Sequence, residues 1–158
     1  MDVKIINPFL EATTNVLATM ANMECTHGKV VIKDGSTALG YVSGIIEITD
    51  KNLKGSLALS FSSSAISAIA KKMLGEMMDD PDTMVRDLTG ELTNIIAGGA
   101  KKILSEKGYD FGLAIPTILN GNDHEIIHVA KASVIVIPFS SADGDFYVEV
   151  CFQPNKTH

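Results

Sequence analysis

Residues 40–61 read GYVSGIIEITDKNLKGSLALSF, and this stretch decides the fold class. The runs 40–49 and 54–61 are rich in β-forming residues, and Asp50-Lys51-Asn52 between them is turn chemistry. The two runs therefore read as consecutive strands joined by a turn. In the second, Leu57, Leu59 and Phe61 alternate with Ser56, Ala58 and Ser60, so an apolar face opposes a small, polar one. Upstream, 29–33 reads as another strand. Before it, Asn7-Pro8 is expected to open a helix, with Asn7 as cap and Pro8 in the first helical position. Phe9, Thr13, Val16, Leu17 and Met20 follow at helical spacing, and the helix is expected to end near Asn22.

Downstream, the serines at 62–64 cap a second helix that carries Ile66, Ile69, Met73 and Leu74 on one face. The Met77-Met78 pair reads as core or gap-filling packing. Asp79-Asp80-Pro81-Asp82 breaks this helix and caps the next, with its acids placed to favour the helix dipole. The third helix, about 82–107, is the longest element and ends at Gly108. Strands are then expected around 113–119, within 126–139, and at 146–152, where Phe146, Val148, Val150 and Phe152 oppose Tyr147, Glu149 and Cys151. Asp143-Gly144 signals a hairpin between the last two. Strands thus come in blocks instead of alternating with helices. This pattern predicts an α+β fold: a largely antiparallel sheet with long helices packed against it.

The chain has 158 residues, the size of a single domain spanning 1–158. At this length roughly 68–70% of the unfolded surface is buried, enough for an independent core. Apolar residues make up 46% and charged residues 20%, which excludes disordered, collagenous and coiled-coil classes. Thirteen basic against nineteen acidic residues give a net charge of −6, and basic residues never run beyond Lys71-Lys72 and Lys101-Lys102. The footprint of a nucleic-acid binder is missing. Cys25 and Cys151 stand far apart and form no metal or redox motif. The apolar start is too short for a signal peptide, and no stretch approaches the ~20 apolar residues that span a bilayer. A cytoplasmic protein without a membrane partner is expected, which leaves the sequon Asn155-Lys156-Thr157 without a role.

Two familiar strings need testing. Asp110-Phe111-Gly112 spells the magnesium string of protein kinases, but no glycine-rich loop, β3 lysine or His-Arg-Asp accompanies it. It carries no function. His124-Glu125-Ile126-Ile127-His128 spells the zinc-protease signature, whose chemistry needs a helix to bring both histidines to one ion. Here the string follows Gly121-Asn122-Asp123 and runs into the β-forming tract 132–137. If it is extended, four steps of about 3.3 Å put the two Cα atoms about 13 Å apart, too far for one zinc. That reading makes it a solvent-facing strand or turn. A short helix capped by Asn122 or Asp123 would restore the ligand geometry and a metallopeptidase reading.

The remaining candidate lies on the third helix. Its apolar stripe reads Val85, Leu88, Leu92, Ile95, Ile96, Gly99 and Ile103. At ~100° per residue, Asp87, Glu91, Asn94 and Gly98 form a second, polar row about 80–160° away. Glu91 and Asn94, three apart, have Cβ atoms ~5–6 Å from each other. Gly90, Ala97, Gly98, Gly99 and Ala100 keep the surrounding surface low. Each glycine inside a helix costs around 1 kcal/mol against alanine, so close approach of a partner, or of the sheet at Gly99, must compensate. A plain solvated face is the alternative.

The segment 90–101, GELTNIIAGGAK, resembles the helix motif of the CheC/CheX/FliY family of chemotaxis phosphatases. The family pattern, Glu-x-x-Asn with a glycine four residues after the Asn, is matched by Glu91, Asn94 and Gly98. The likeness extends along the chain through Asn-Pro-Phe-Leu-Glu-Ala-Thr at 7–13, Thr-Met at 19–20, the serine-rich entry to the second helix and the strand blocks. CheC-type members carry a second motif in the first helix. Here that helix offers Glu11 and Asn15 at a spacing of four, with Thr19 where glycine belongs, so the chain looks like the single-site CheX type.

The resemblance implies removal of phosphate from the aspartyl phosphate of a CheY-like response regulator, with Glu91 and Asn94 as the catalytic residues. Asn94 would orient the attacking water, Glu91 would pair with a cation on the regulator, and Gly98 would let the backbones approach. Asp87 and Lys101 would be rim contacts. No cofactor is expected on this chain, and Mg²⁺ is expected on the regulator. A homodimer joined through sheet edges is implied, and the apolar run 134–137 is expected to be such an edge. A non-catalytic module that only binds the regulator or dimerises is the competing class.

Overall fold

The computed structural model describes residues 3–75 and 81–155. Met77-Met78, Asp79-Asp80 and the Lys156-Thr157 part of the sequon lie outside the described residues. The elements run α1 (Val3–Ala21), β1 (Cys25–His27), β2 (Val31–Ile32), β3 (Val42–Thr49), β4 (Leu53–Phe61), α2 (Ser63–Leu74), α3 (Pro81–Ser105), β5 (Gly112–Leu113), β6 (Thr117–Asn120), β7 (Ile135–Ser141) and β8 (Gly144–Pro154). The fold is α+β. Its eight-stranded antiparallel sheet has the order β1-β7-β8-β4-β3-β5, with β2 beside β1 on β7 and β6 beside β5 on β3.

Register follows from the apolar alternation. Phe61 pairs with Phe146 and Phe146 with Phe139, so three rings stack across the sheet at centroid distances of 5.5 and 4.9 Å. Leu59, Val148 and Ile137 form the next row, and Leu57, Val150 and Ile135 the one after. These rows face the helices and join Phe9, Leu17, Leu92 and Ile96 in one core cluster. The turn after β3 is held by the Asp50 carboxylate, which accepts the amides of Asn52 at 2.7 Å and Leu53 at 2.8 Å. Ser62 caps α2 by accepting the Ala65 amide at 3.2 Å. Gly144, at φ +141°, closes the β7–β8 hairpin. Gly44 of β3 lies under α3, where an added Cβ would collide with Thr93 Oγ1.

Several expectations change. Helix α1 begins by Val3, so Asn7 is not its cap and Pro8 lies inside the helix. Burial of Ile5 and Ile6 carries the helix back past Pro8, whose ring removes one hydrogen bond. The stripe of α3 is rotated: Met84, Thr89, Thr93, Ala97, Ala100 and Leu104 are buried, while Val85, Ile95, Gly99 and Ile103 are only partly so. The two threonines serve as core residues because their hydroxyls donate back to the Val85 and Thr89 carbonyls at 2.7 Å. Gly99 packs on α1, its added Cβ standing 3.3 Å from Ala12 Cβ, and not on the sheet. Leu74 and Met20 are exposed.

The strand blocks also shift. The expected strand 29–33 shrinks to β2, β1 is additional, and Pro116 divides 113–119 into β5 and β6. Residues 126–134 are not a strand. The run 134–137 is no edge, since β7 is flanked by β8 on one side and by β1 and β2 on the other. The polar faces of β4 and β8 are buried as well: Ser56, Ser60, Glu149 and Cys151 are each 0% exposed. The segment between β6 and β7 lies over them, with Ile126 against Ala58 and Ala38, and the Cys151 thiol donating to the Ala132 carbonyl at 3.4 Å.

Candidate functional site

Helix α3 turns Leu88, Leu92 and Ile96 into the core and leaves Asp87, Glu91 and Asn94 exposed. These three line one shallow cavity of about 410 Å³. Gly98 continues the row, and no heavy atom outside its own stretch of helix backbone lies within 4 Å of where its Cβ would stand. Lys101 is exposed two turns beyond Asn94, about 10 Å along the axis at 1.5 Å per residue, and does not line the cavity.

The far wall was not foreseen from sequence. It is built by Ile115, Pro116 and Ile118, from the β5–β6 connection and β6. Strand β6 is paired with β3 through Gly44–Ile118, which carries this wall to α3. Gly90 permits the approach: a Cβ there would stand 3.1 Å from Ile118 Cδ1. Arg86 fastens the two sides, donating from Nη2 to the Ile118 carbonyl at 3.3 Å and from Nη1 to Asn120 Oδ1. Arg86 lines the cavity beside Asp87 and Glu91, so the lining carries two carboxylates against one guanidinium. Pro116, which breaks the strand pattern of 113–119, was the one sequence signal for this wall.

The arrangement offers an acid and a carboxamide on one helical turn, on a low surface, with an ordered apolar wall opposite. An amide can accept a hydrogen bond through its carbonyl and donate two through its nitrogen without titrating. That suits holding a water against an anionic group. Glu11 and Asn15 are exposed on α1 and line a separate hollow with Asn7, Thr14 and His27.

The zinc-like string is not helical. Its side chains disperse to different partners: His124 Nε2 is 2.7 Å from Ser43 Oγ, and Glu125 accepts from Ser36 Oγ at 3.1 Å. His128 lies 2.6 Å from Ser56 Oγ through Nδ1 and 3.0 Å from Glu149 Oε1 through Nε2. Glu125 and Ile127 face solvent as expected, but the His128 side chain is 3% exposed and the two histidines are not incidental. Glu149 also accepts from Lys33 Nζ at 2.9 Å. This buried chain of Ser56, His128, Glu149 and Lys33 pins the β6–β7 segment to the sheet. In the kinase-like string, Phe111 is a core plug 5.5 Å from Tyr109 and 5.9 Å from Phe152.

Among the described residues no helix is long and apolar enough to cross a membrane. Comparison with known proteins agrees with the fold. The chain is similar to a CheC-like superfamily protein from Shewanella sp. PV-4, at 47% identity and a TM-score of 0.89 over 97% of this chain and 99% of that one. It is 27% identical to the CheY-P phosphatase CheX of Thermotoga maritima over 95% of this chain and 97% of that protein. A CheX–CheY–BeF₃–Mg²⁺ complex from Borrelia burgdorferi is similar at 28% identity and a TM-score of 0.78, over 94% of this chain and 97% of that one. Residues 42–140 match the chemotaxis phosphatase CheX family. The chain belongs to that family.

Proposed function

We propose that this chain hydrolyses the aspartyl phosphate of a CheY-like response regulator by inserting the Glu91–Asn94 face of α3 into the regulator's active site. The observation that carries the reading is the placement of both side chains, exposed one turn apart on a single cavity, with open space over Gly98. In the reaction a water oxygen bonds to phosphorus, the acyl C–O–P linkage breaks at the P–O bond, the aspartate leaves as its carboxylate, and both water protons end on the released phosphate. The Asn94 carbonyl accepts a hydrogen bond from the water while its NH₂ donates to a phosphoryl oxygen, which holds the attack in line. Glu91 pairs with a cation on the regulator and registers the helix. The regulator's own Mg²⁺ is assigned the charge on the phosphoryl group. The similar CheX–CheY–BeF₃–Mg²⁺ complex supports that placement.

The relatives support the substrate class: one is a CheY-P phosphatase and another is a complex with CheY. A second copy of the chain is also proposed as a partner. The half-exposed Val31 and well-exposed Ile32 of β2, on the sheet edge, favour pairing there.

The test is phosphate release from phosphorylated regulators of the same cell, with and without the chain. Acceleration lost in Asn94→Ala supports hydrolysis. Binding without acceleration would replace it with sequestration.

A further inference from the structure

Ile115 is 89% exposed, the highest value among the large exposed apolar side chains of the described residues. Single exposed aliphatics are ordinary on protein surfaces and by themselves mean nothing. Ile115 differs in its position and in its order. It stands on the lip of the Glu91–Asn94 cavity, forming one wall with Pro116 and Ile118. Its backbone is restricted twice: Pro116 confines the residue before it to extended geometry, and Arg86 ties the following strand to α3. An apolar side chain held out in a fixed place loses little freedom when covered, which is the condition under which burial becomes affinity.

Resting on the proposed phosphatase reading, we infer that Ile115 is the apolar anchor that seats the phosphorylated regulator over Glu91 and Asn94. The occupant follows from continuity: whatever brings an acyl phosphate to Asn94 must cross the cavity whose other lip is Ile115. The lining carries Asp87 and Glu91 against Arg86, one net negative charge, so charge favours a cationic rim on the partner, while Ile115 supplies the contact that salt does not weaken. Anchor and chemistry are then separable. Ile115 touches the regulator equally in the bound and transition states and sets KM, whereas Asn94 sets kcat.

The experiment titrates the full chain with regulator held in its activated form by beryllofluoride and Mg²⁺, and measures phosphate release in parallel. Ile115→Ser should weaken binding on the order of tenfold, with a matching rise in KM, unchanged kcat and an unchanged salt dependence. Ile115→Leu should restore most of the affinity. Leu39→Ser, which removes another exposed aliphatic from outside both cavities that Ile115 lines, should bind and turn over as wild type. Wild-type affinity in Ile115→Ser, while Asn94→Ala is inactive, overturns the inference and leaves the phosphatase reading standing. A change from dimer to monomer with unchanged affinity per subunit gives the anchor to a second copy instead and likewise overturns it. A wild-type chain that neither binds nor hydrolyses removes both.

Discussion

Replacing Gly98 by alanine should make the protein more stable and less active. Glycine inside a helix costs about 0.8–1 kcal/mol against alanine. At Gly98 nothing subtracts from that gain, because no heavy atom outside its own stretch of helix backbone lies within 4 Å of the new methyl. For a chain of this size, 1 kcal/mol is about 2–4 °C in melting temperature. Two other glycines calibrate the argument. At Gly99 the new methyl would press on Ala12 Cβ at 3.3 Å, so the same propensity gain should be offset to near zero. At Gly44 it would collide with the Thr93 hydroxyl, and α3 must shift. The expected order of melting temperatures is Gly98→Ala above wild type, Gly99→Ala close to it, and Gly44→Ala below it. Phosphate release should move the other way at Gly98, since the methyl stands on the face proposed to meet the regulator. Gly98→Leu, with nearly the helix propensity of alanine, should keep the stability and lose more kcat/KM. A Gly98→Leu protein that turns over like wild type would remove this face from the contact. A fall in melting temperature for Gly98→Ala would refute the reading of its surroundings.

The two side chains proposed as catalytic should separate in kinetics. Asn94→Ala is expected to lose on the order of 10²-fold in kcat with little change in KM, and Asn94→Asp, which sets a charge against the phosphoryl group, at least as much. Glu91→Ala should instead raise KM and flatten the salt dependence, which steady-state assays across ionic strength will read. Lys33→Met removes a cation from the fully buried Glu149 and should destabilise by about 3 kcal/mol in denaturant melts, leaving turnover of folded protein unchanged. Burial pushes the Cys151 thiol above its ordinary 9.0, with the Glu149 charge adding to the rise and the bond to Ala132 opposing it. The folded chain holds that proton more tightly, so the contribution is intact below about pH 9 and lost as pH rises further. Alkaline melts of Cys151→Ala should show less of that loss, and thiol titration should find Cys151 slower in the folded than in the unfolded chain.

What could be read from sequence is what local chemistry decides. The Asp50 turn, the Ser62 cap, the Asp143-Gly144 hairpin and the long α3 each rest on neighbours in the chain, and each stands in the structure. The row of Asp87, Glu91, Asn94 and Gly98 was legible for the same reason, because helical geometry alone puts it on one face. Long-range packing decided the rest. Alternation along β4 and β8 correctly separated two faces but could not say that the polar one would also be covered, since the cover comes from 121–134. The run 134–137 looked like an exposed edge because nothing local reveals that Cys25–His27 and Val31–Ile32 return to flank it. The cavity wall required the pairing of β6 with β3, and only Pro116 hinted at it.

The covering segment over the outer face has a consequence for how this protein fails. Beneath it the sheet presents Ser43, Ser60, Ser56 and Glu149, groups that water can satisfy as readily as the histidines do. If the segment lifts, the newly bared strands mix Ala58 and Ile45 with these polar groups and the Glu149 charge, so a neighbouring molecule meets a poorer template for aggregation than the phenylalanine face would give. The phenylalanine row stays sealed on the other side under the helices. The protein can therefore breathe on one side of its sheet without baring the phenylalanine face, and the helix that carries Glu91 and Asn94 is on the side that stays shut.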